Sequence, residues 1–397
     1  MLINFNFLTK PLIVYSISLF INVYAYDDSD IRIKKTTHNP SASKIGDPMT
    51  ITWSIVPDGT KMPNNSTPSG IKLKSDFINR LDELFGVTQE EKTTDLTLRA
   101  WFKILENAFD KYTSKTGLTY IYEPNDNGST LKFTSTAGKK NVLGDIRIGG
   151  LTLDTAKGSR AYSGYPGSSG YAPNIVFNTA HPLFHLAASI DFLLVHENMH
   201  NTGSHHVMVN SNPTLTAAAM MGMGSGKGPQ FDDLLSLHRR YGDLHEKNGG
   251  NDTVNTATYL GNINDKQQLK IGGDAGPLIV KIKQTDFVSI DGKSDTDIYK
   301  FTISESIPIQ IRLKPKGPIY EYLLEDSSRT PIKIDASKLN DLSFTISNSH
   351  GLRVDIDQTK KGEEELFKTK PAAGEYYIEV NGRSDKPQFY SLEISIE

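Results

Sequence analysis

Residues 189–206 hold the densest chemistry in the sequence. His196, Glu197, His200, Gly203 and His206 spell H-E-x-x-H-x-x-G-x-x-H, in a chain with only 10 histidines among 397 residues. Residues four apart share one face of a helix, so His196 and His200 can present their imidazoles to one metal ion. Glu197 is adjacent and can reach a water on that ion without ligating it. The next helical turn cannot aim a third ligand inward, so the chain must leave the helix. Gly203 permits this, because glycine takes left-handed backbone conformations cheaply. His206 would then complete three protein ligands and leave the fourth position of a zinc ion open, as catalytic sites require. His205 competes for that role, but the spacing favours His206. Glu246 is available as a downstream carboxylate ligand, although G-x-x-H already satisfies the motif.

The elements that must position these groups are legible around them. Ile190, Phe192, Leu193, Leu194 and Val195 form an apolar lead into the motif, which suits a helix packed into a core. Before it, strands are expected at 49–56, 118–122, 131–133, 144–150 and 174–178, with helices at 71–85 and 96–112. Residues 158–173 are rich in Gly, Ser, Tyr and Pro and form a loop. After the motif come the segment Ala217-Ala218-Ala219-Met220-Met221-Gly222 and a helix over 229–241, with Asp232 and Asp233 near its start, where the helix dipole favours them. Asn248-Gly249-Gly250-Asn251 marks a boundary. Beyond it the text changes to short alternating strands, clearest at 278–283, 298–303, 309–313, 342–346, 376–380 and 390–396, the pattern of an all-β sandwich. The fold class is therefore α+β followed by all-β, divided into 1–25 signal peptide, 26–47 short polar pro-segment or linker, 48–246 zinc domain and 247–397 β-sandwich.

Composition narrows the partners. A net charge of −3, 22% charged and 37% hydrophobic residues describe an ordinary globular protein with no general attraction to nucleic acid or anionic membrane. Lys10 followed by an apolar run over 12–23 and Val23-Tyr24-Ala25 has the layout of a cleaved secretory signal, too short for a spanning helix. The absence of cysteine excludes disulfides, a lipidated cysteine anchor and a thiolate zinc ligand. Together these point to a secreted, extracellular and bacterial protein, not associated with the membrane after signal removal. Oligomeric state is not legible.

On the zinc motif the chain resembles the metzincin metalloproteases, and among them the matrixins. Gly144-Asp145-Ile146-Arg147-Ile148, Tyr162 to Pro166, Asn174-Ile175-Val176-Phe177-Asn178, Ala219-Met220-Met221-Gly222 and Pro229-Gln230-Phe231-Asp232-Asp233 through Tyr241-Gly242 follow in matrixin order, over roughly residues 48–245. The resemblance implies a mixed twisted sheet with three main helices, zinc on His196, His200 and His206, Glu197 as general base, and a Met-turn methionine beneath the metal. By position that methionine is Met221, with Met220 the alternative and Met223 a more distant one. It also implies an extended substrate along an edge strand near 160–165 and a specificity wall from 222–230. The departures are a longer stretch between His206 and the methionines, no structural-zinc histidine between Gly144 and Phe177, no tyrosine after Met221, and no cysteine switch. Asp145 and Asp154 are candidate Ca²⁺ ligands.

The second half is similar to the bacterial pre-peptidase C-terminal domain. Asn251-Asp252, Thr256-Ala257, Asp295-Thr296-Asp297-Ile298-Tyr299-Lys300-Phe301, Ala373-Gly374-Glu375-Tyr376-Tyr377-Ile378-Glu379-Val380 and Tyr390-Ser391-Leu392 carry that resemblance. It implies a β-sandwich attached to secreted peptidases, often removed on maturation, with Asp295 and Asp297 as further Ca²⁺ candidates. The expected function is a secreted zinc endopeptidase acting on protein or peptide substrates. The rival is a surface- or matrix-binding adhesin whose β-domain carries the function.

Overall fold

The computed structural model describes residues 31–62, 74–132, 137–152, 160–167, 169–206, 228–323 and 331–397. The first half contains β1 (Met49–Ile55), α1 (Phe77–Phe85), α2 (Phe102–Thr113), β2 (Leu118–Tyr122), β3 (Ile146–Leu151), β4 (Ala161–Ser163), β5 (Ile175–Asn178), α3 (Ala187–Asn201) and α4 (Phe231–Tyr241). The strands form one sheet in the order β2-β1-β3-β5-β4. The first three pairings are parallel and β4 closes the edge antiparallel to β5. Every residue of β3 and β5 is buried, as expected for strands covered on both faces. α2 lies on one face, where Trp53 meets Phe102, Phe109 and Tyr122 at ring separations of 5.5, 4.9 and 4.7 Å. The Tyr112 hydroxyl of α2 bonds the Val195 carbonyl and ties α3 behind it.

Several expectations shift. Among the described residues the first half holds four α-helices, where the resemblance implies three main ones. The helix expected from residue 96 begins at Phe102, because Asp82 holds Arg99 and the Trp101 indole in the preceding turn. No strand forms at 131–132, and residue 133 lies outside the described residues. Residues 31–47, within the expected linker, are bound into the first half. Arg32 and Ile33 are buried, the Lys34 and Lys35 amides donate to the Gly170 carbonyl, and the Thr36 hydroxyl donates to the Thr50 carbonyl. A polar composition hid this because the buried bonds are made to partners far along the chain. The expected signal residues 1–25 lie outside the described residues, and no helix among those described is long and apolar enough to cross a membrane.

The second half runs through β6 (Thr258–Asn262), β7 (Gln268–Ile271), β8 (Val288–Ile290), β9 (Thr296–Ile303), β10 (Ile309–Pro315), β11 (Ile319–Leu323), β12 (Pro331–Asp335), β13 (Leu342–Asn348), β14 (Arg353–Ile356), β15 (Glu365–Thr369), β16 (Gly374–Gly382) and β17 (Gln388–Ile396). One sheet orders β15-β10-β17-β7 with β8 also on β17; the other orders β14-β13-β16-β9-β6. Alternating inward residues such as Ile309, Ile311 and Leu313 from one sheet and Phe344, Ile346 and Ile378 from the other share a buried core. The strand expected at 278–283 does not form. That segment docks on helices instead, with the Val280 amide donating to the Gln230 side chain and Lys115 donating to the Ile282 carbonyl.

The halves are not loosely tethered. Phe389 of β17 packs on Phe231 and His238 of α4 at 5.3 and 4.8 Å, and the β11–β12 hairpin sends the Tyr320 hydroxyl to Asp232 at 2.5 Å. His238 is wholly buried, bonding Ser289 and the Lys115 carbonyl, and burial lowers its pKa to about 4. α4 is thus shared, one side facing the histidine motif and the other the sandwich.

Candidate metal centre

α3 delivers His196, Glu197 and His200, each about 95% buried. The chain then turns off the helix at Thr202. Gly203 has φ +101°, and the Gly203 and Ser204 amides donate to the His200 and Met199 carbonyls at 2.9 and 3.0 Å. The turn brings His206 back over the helix. Its Nε2 lies 3.1 Å from Nε2 of His196 and 3.2 Å from Nε2 of His200. Three nitrogens at tetrahedral angles on zinc, with bonds of about 2.05 Å, would sit about 3.3 Å apart. The donor set therefore fits a zinc ion in spacing as well as in type.

The tautomers fit too. Nδ1 of His200 donates to the Ser204 carbonyl at 2.9 Å, which leaves its Nε2 lone pair facing the other two rings. Burial, reinforced by His196 and His206, lowers the His200 pKa to about 3, so the ring is neutral and available as a ligand. His206 is exposed, so the cluster opens to solvent on its side. His205 points elsewhere, stacking on Tyr165 at 4.3 Å, while Tyr165 also meets His200 edge-on at 5.2 Å.

The Glu197 carboxylate accepts from the Ser163 amide of β4, and burial raises its pKa to about 8. β4 is the strand near 160–165 that was expected at the edge, with no partner beyond it among the described residues. Ser163 was not singled out from sequence, and its hydroxyl also bonds Asn201 at the end of α3. Met220, Met221, Met223, loop 207–216 and most of the expected specificity wall lie outside the described residues.

Glu246 does not join the histidines. It stands with Asp295 and Asp297, their nearest carboxylate oxygens all within 4.8 Å of one another. Asp47, Asp252 and Asp291 line the same open cleft of about 430 Å³ between the halves. Burial first, then mutual repulsion, raises the pKa of Glu246 to about 10 and of Asp291 to about 8, while burial against opposing amide bonds raises Asp295 to about 6. Asn251 is fully buried; its amide donates to Asp297 at 2.9 Å while its oxygen has no hydrogen-bond partner, as is true of Glu246 Oε1. Of the sequence candidates for calcium, Asp295 and Asp297 thus belong to a cluster. Asp145 does not, because its two oxygens already accept from the amide and hydroxyl of Thr37 and of Thr52, filling its lone-pair positions. Asp154 lies outside the described residues.

No protein-family model matches the sequence, and no curated protein matches it. Among solved structures, the pre-peptidase C-terminal domain of a collagenase from Bacillus anthracis is similar at 14% identity and TM-score 0.20, over 35% of this chain and 94% of that one. The Aeromonas hydrophila PliG, a periplasmic inhibitor of g-type lysozyme, is similar at 17% identity and TM-score 0.17, over 28% of this chain and 82% of that one. Both scores are too low for a shared fold to follow from them.

Proposed function

We propose that the chain is a secreted, zinc-dependent endopeptidase of metzincin type. The observation that carries this is the convergence of three imidazole nitrogens beside a buried carboxylate, directly under an edge strand. His196, His200 and His206 would hold the metal, which supplies Lewis acidity for activating water and polarising a scissile carbonyl. Glu197, one residue from a ligand and tethered to Ser163, is placed as a carboxylate to take a proton from water and pass it to a leaving amine. β4 is the outermost strand of its sheet among the described residues, and an extended peptide would add beside it as a further strand. Zinc content by atomic absorption, with casein cleavage by the wild type and by Glu197→Ala, tests the reading. Zinc bound at one per chain and cleavage lost only in the variant supports it, whereas a zinc-free wild type sinks it.

A second, structural cation belongs to this reading. Carboxylates gathered against their own repulsion beside unpartnered oxygens of Asn251 and Glu246 form a hard-oxygen set. Opposed ligands on Ca²⁺ lie up to about 5 Å apart, which accommodates the spacing of Glu246, Asp295 and Asp297.

A further inference from the structure

The turn 202–206 does two jobs at once: it carries His206, and its Ser204 carbonyl sets the ring of His200. What fixes the turn is therefore part of the metal site, although none of it touches the metal. Three structures meet there. From the end of α4, the fully buried Tyr241 donates its hydroxyl to the Thr202 carbonyl at 3.0 Å. The neighbouring Arg240, also fully buried, donates to the Ser204 hydroxyl at 3.0 Å. The third is the segment 31–35. Its Ile33 amide donates to the same Tyr241 hydroxyl at 2.9 Å, and its Ile31 carbonyl crosses Gly203 so closely that a β-carbon there would overlap it.

The segment is itself pinned. The Arg32 guanidinium lies 4.6 Å over the Tyr241 ring and donates to the Asp47 carbonyl at 2.9 Å and to Ser43 at 3.0 Å. One residue on, the Lys34 and Lys35 amides clasp the Gly170 carbonyl at 2.7 and 3.0 Å. The Tyr241 hydroxyl is thus the single atom joining α4, the residues after α3 and the segment before β1.

We propose that Tyr241 and Arg240 are positioning residues of the metal centre, and that residues 31–35 are a strap completing their hold on the turn. This rests on the zinc reading above and adds to it that metal affinity depends on groups over 200 residues apart in sequence. Tyr241→Phe keeps the ring and its packing but leaves the Thr202 carbonyl and the Ile33 amide without their shared partner. The turn would then sample other arrangements. Loss of groups that orient metal ligands weakens metal affinity by roughly ten- to a hundredfold.

The test uses the full chain, zinc Kd by chelator competition, and the visible spectrum of the cobalt-substituted protein. Tyr299→Phe is the control, an equally buried tyrosine whose hydroxyl bonds Tyr390 in the sandwich. Tyr241→Phe is expected to weaken zinc by roughly ten- to a hundredfold and shift the cobalt bands, while Tyr299→Phe moves neither. Ser204→Ala, which removes one acceptor of Arg240 and leaves the Ser204 carbonyl in place, serves as a milder second variant and is expected to weaken zinc several-fold. Tight wild-type zinc with unchanged Kd and spectrum in both site variants overturns the positioning role alone. A wild type that binds no zinc overturns the reading beneath it.

Discussion

Among the described residues, two clusters of groups able to hold a metal ion solve opposite electrostatic problems. Around α3, three imidazoles converge, and burial, reinforced by the other two rings, lowers the pKa of His200 so that this ring brings no charge to the cluster. Between the halves, carboxylates converge at a cost that burial makes larger, and their pKa values climb accordingly. The first set is preorganised for a borderline-soft ion on three nitrogens with one position open. The second is stable only when protons or a hard cation neutralise it. On the proposed reading, the difference separates a site for chemistry from one that joins two halves.

Removing a zinc ligand should have the largest effect. His200→Ala is expected to abolish both zinc binding and cleavage while leaving the calcium-induced rise in Tm intact; retained stoichiometric zinc would break the assignment. Next comes the joining site. Asp297→Asn should abolish the rise in Tm caused by millimolar Ca²⁺ and leave zinc content unchanged. A variant still stabilised by Ca²⁺ would place that ion elsewhere.

The pH dependence is a further discriminator. A carboxyl whose pKa is raised on folding binds its proton more tightly in the native state, so stability is lost as pH rises through the folded value. With Asp295 and Asp291 raised to about 6 and 8, the metal-free chain should lose Tm between pH 5 and pH 8.5, and Ca²⁺ should flatten that slope. A metal-free Tm that rises over that range contradicts the cluster. The smallest effect is expected from His205→Gln, which removes the stack on Tyr165 and should change zinc Kd less than about twofold.

Much of the histidine site was legible because its spacing is local. The positions of His196, Glu197 and His200 follow from helical periodicity, and a turn at Gly203 follows from what glycine allows. The surrounding hold was not legible. Arg32, Ser163, Arg240 and Tyr241 carry no motif, and their bonds to the site form only once the sheet and α4 are in place. Residues 278–283 show why alternation misleads: Val280 is buried with its amide held by the Gln230 side chain, while Ile279 and Ile282 stay exposed and no strand forms. The acidic cluster was half visible in Asp295 and Asp297. Glu246 and Asn251 join it only because α4 and the sandwich share one core.

The central claim is that Glu197, acting beside a zinc ion on three histidines, performs peptide hydrolysis. The most direct measurement is the rate of peptide cleavage by wild type and Glu197→Gln, both shown to carry one zinc per chain. The account predicts a fall of about 10²- to 10⁴-fold with zinc retained. Equal rates in the two zinc-loaded proteins would contradict it.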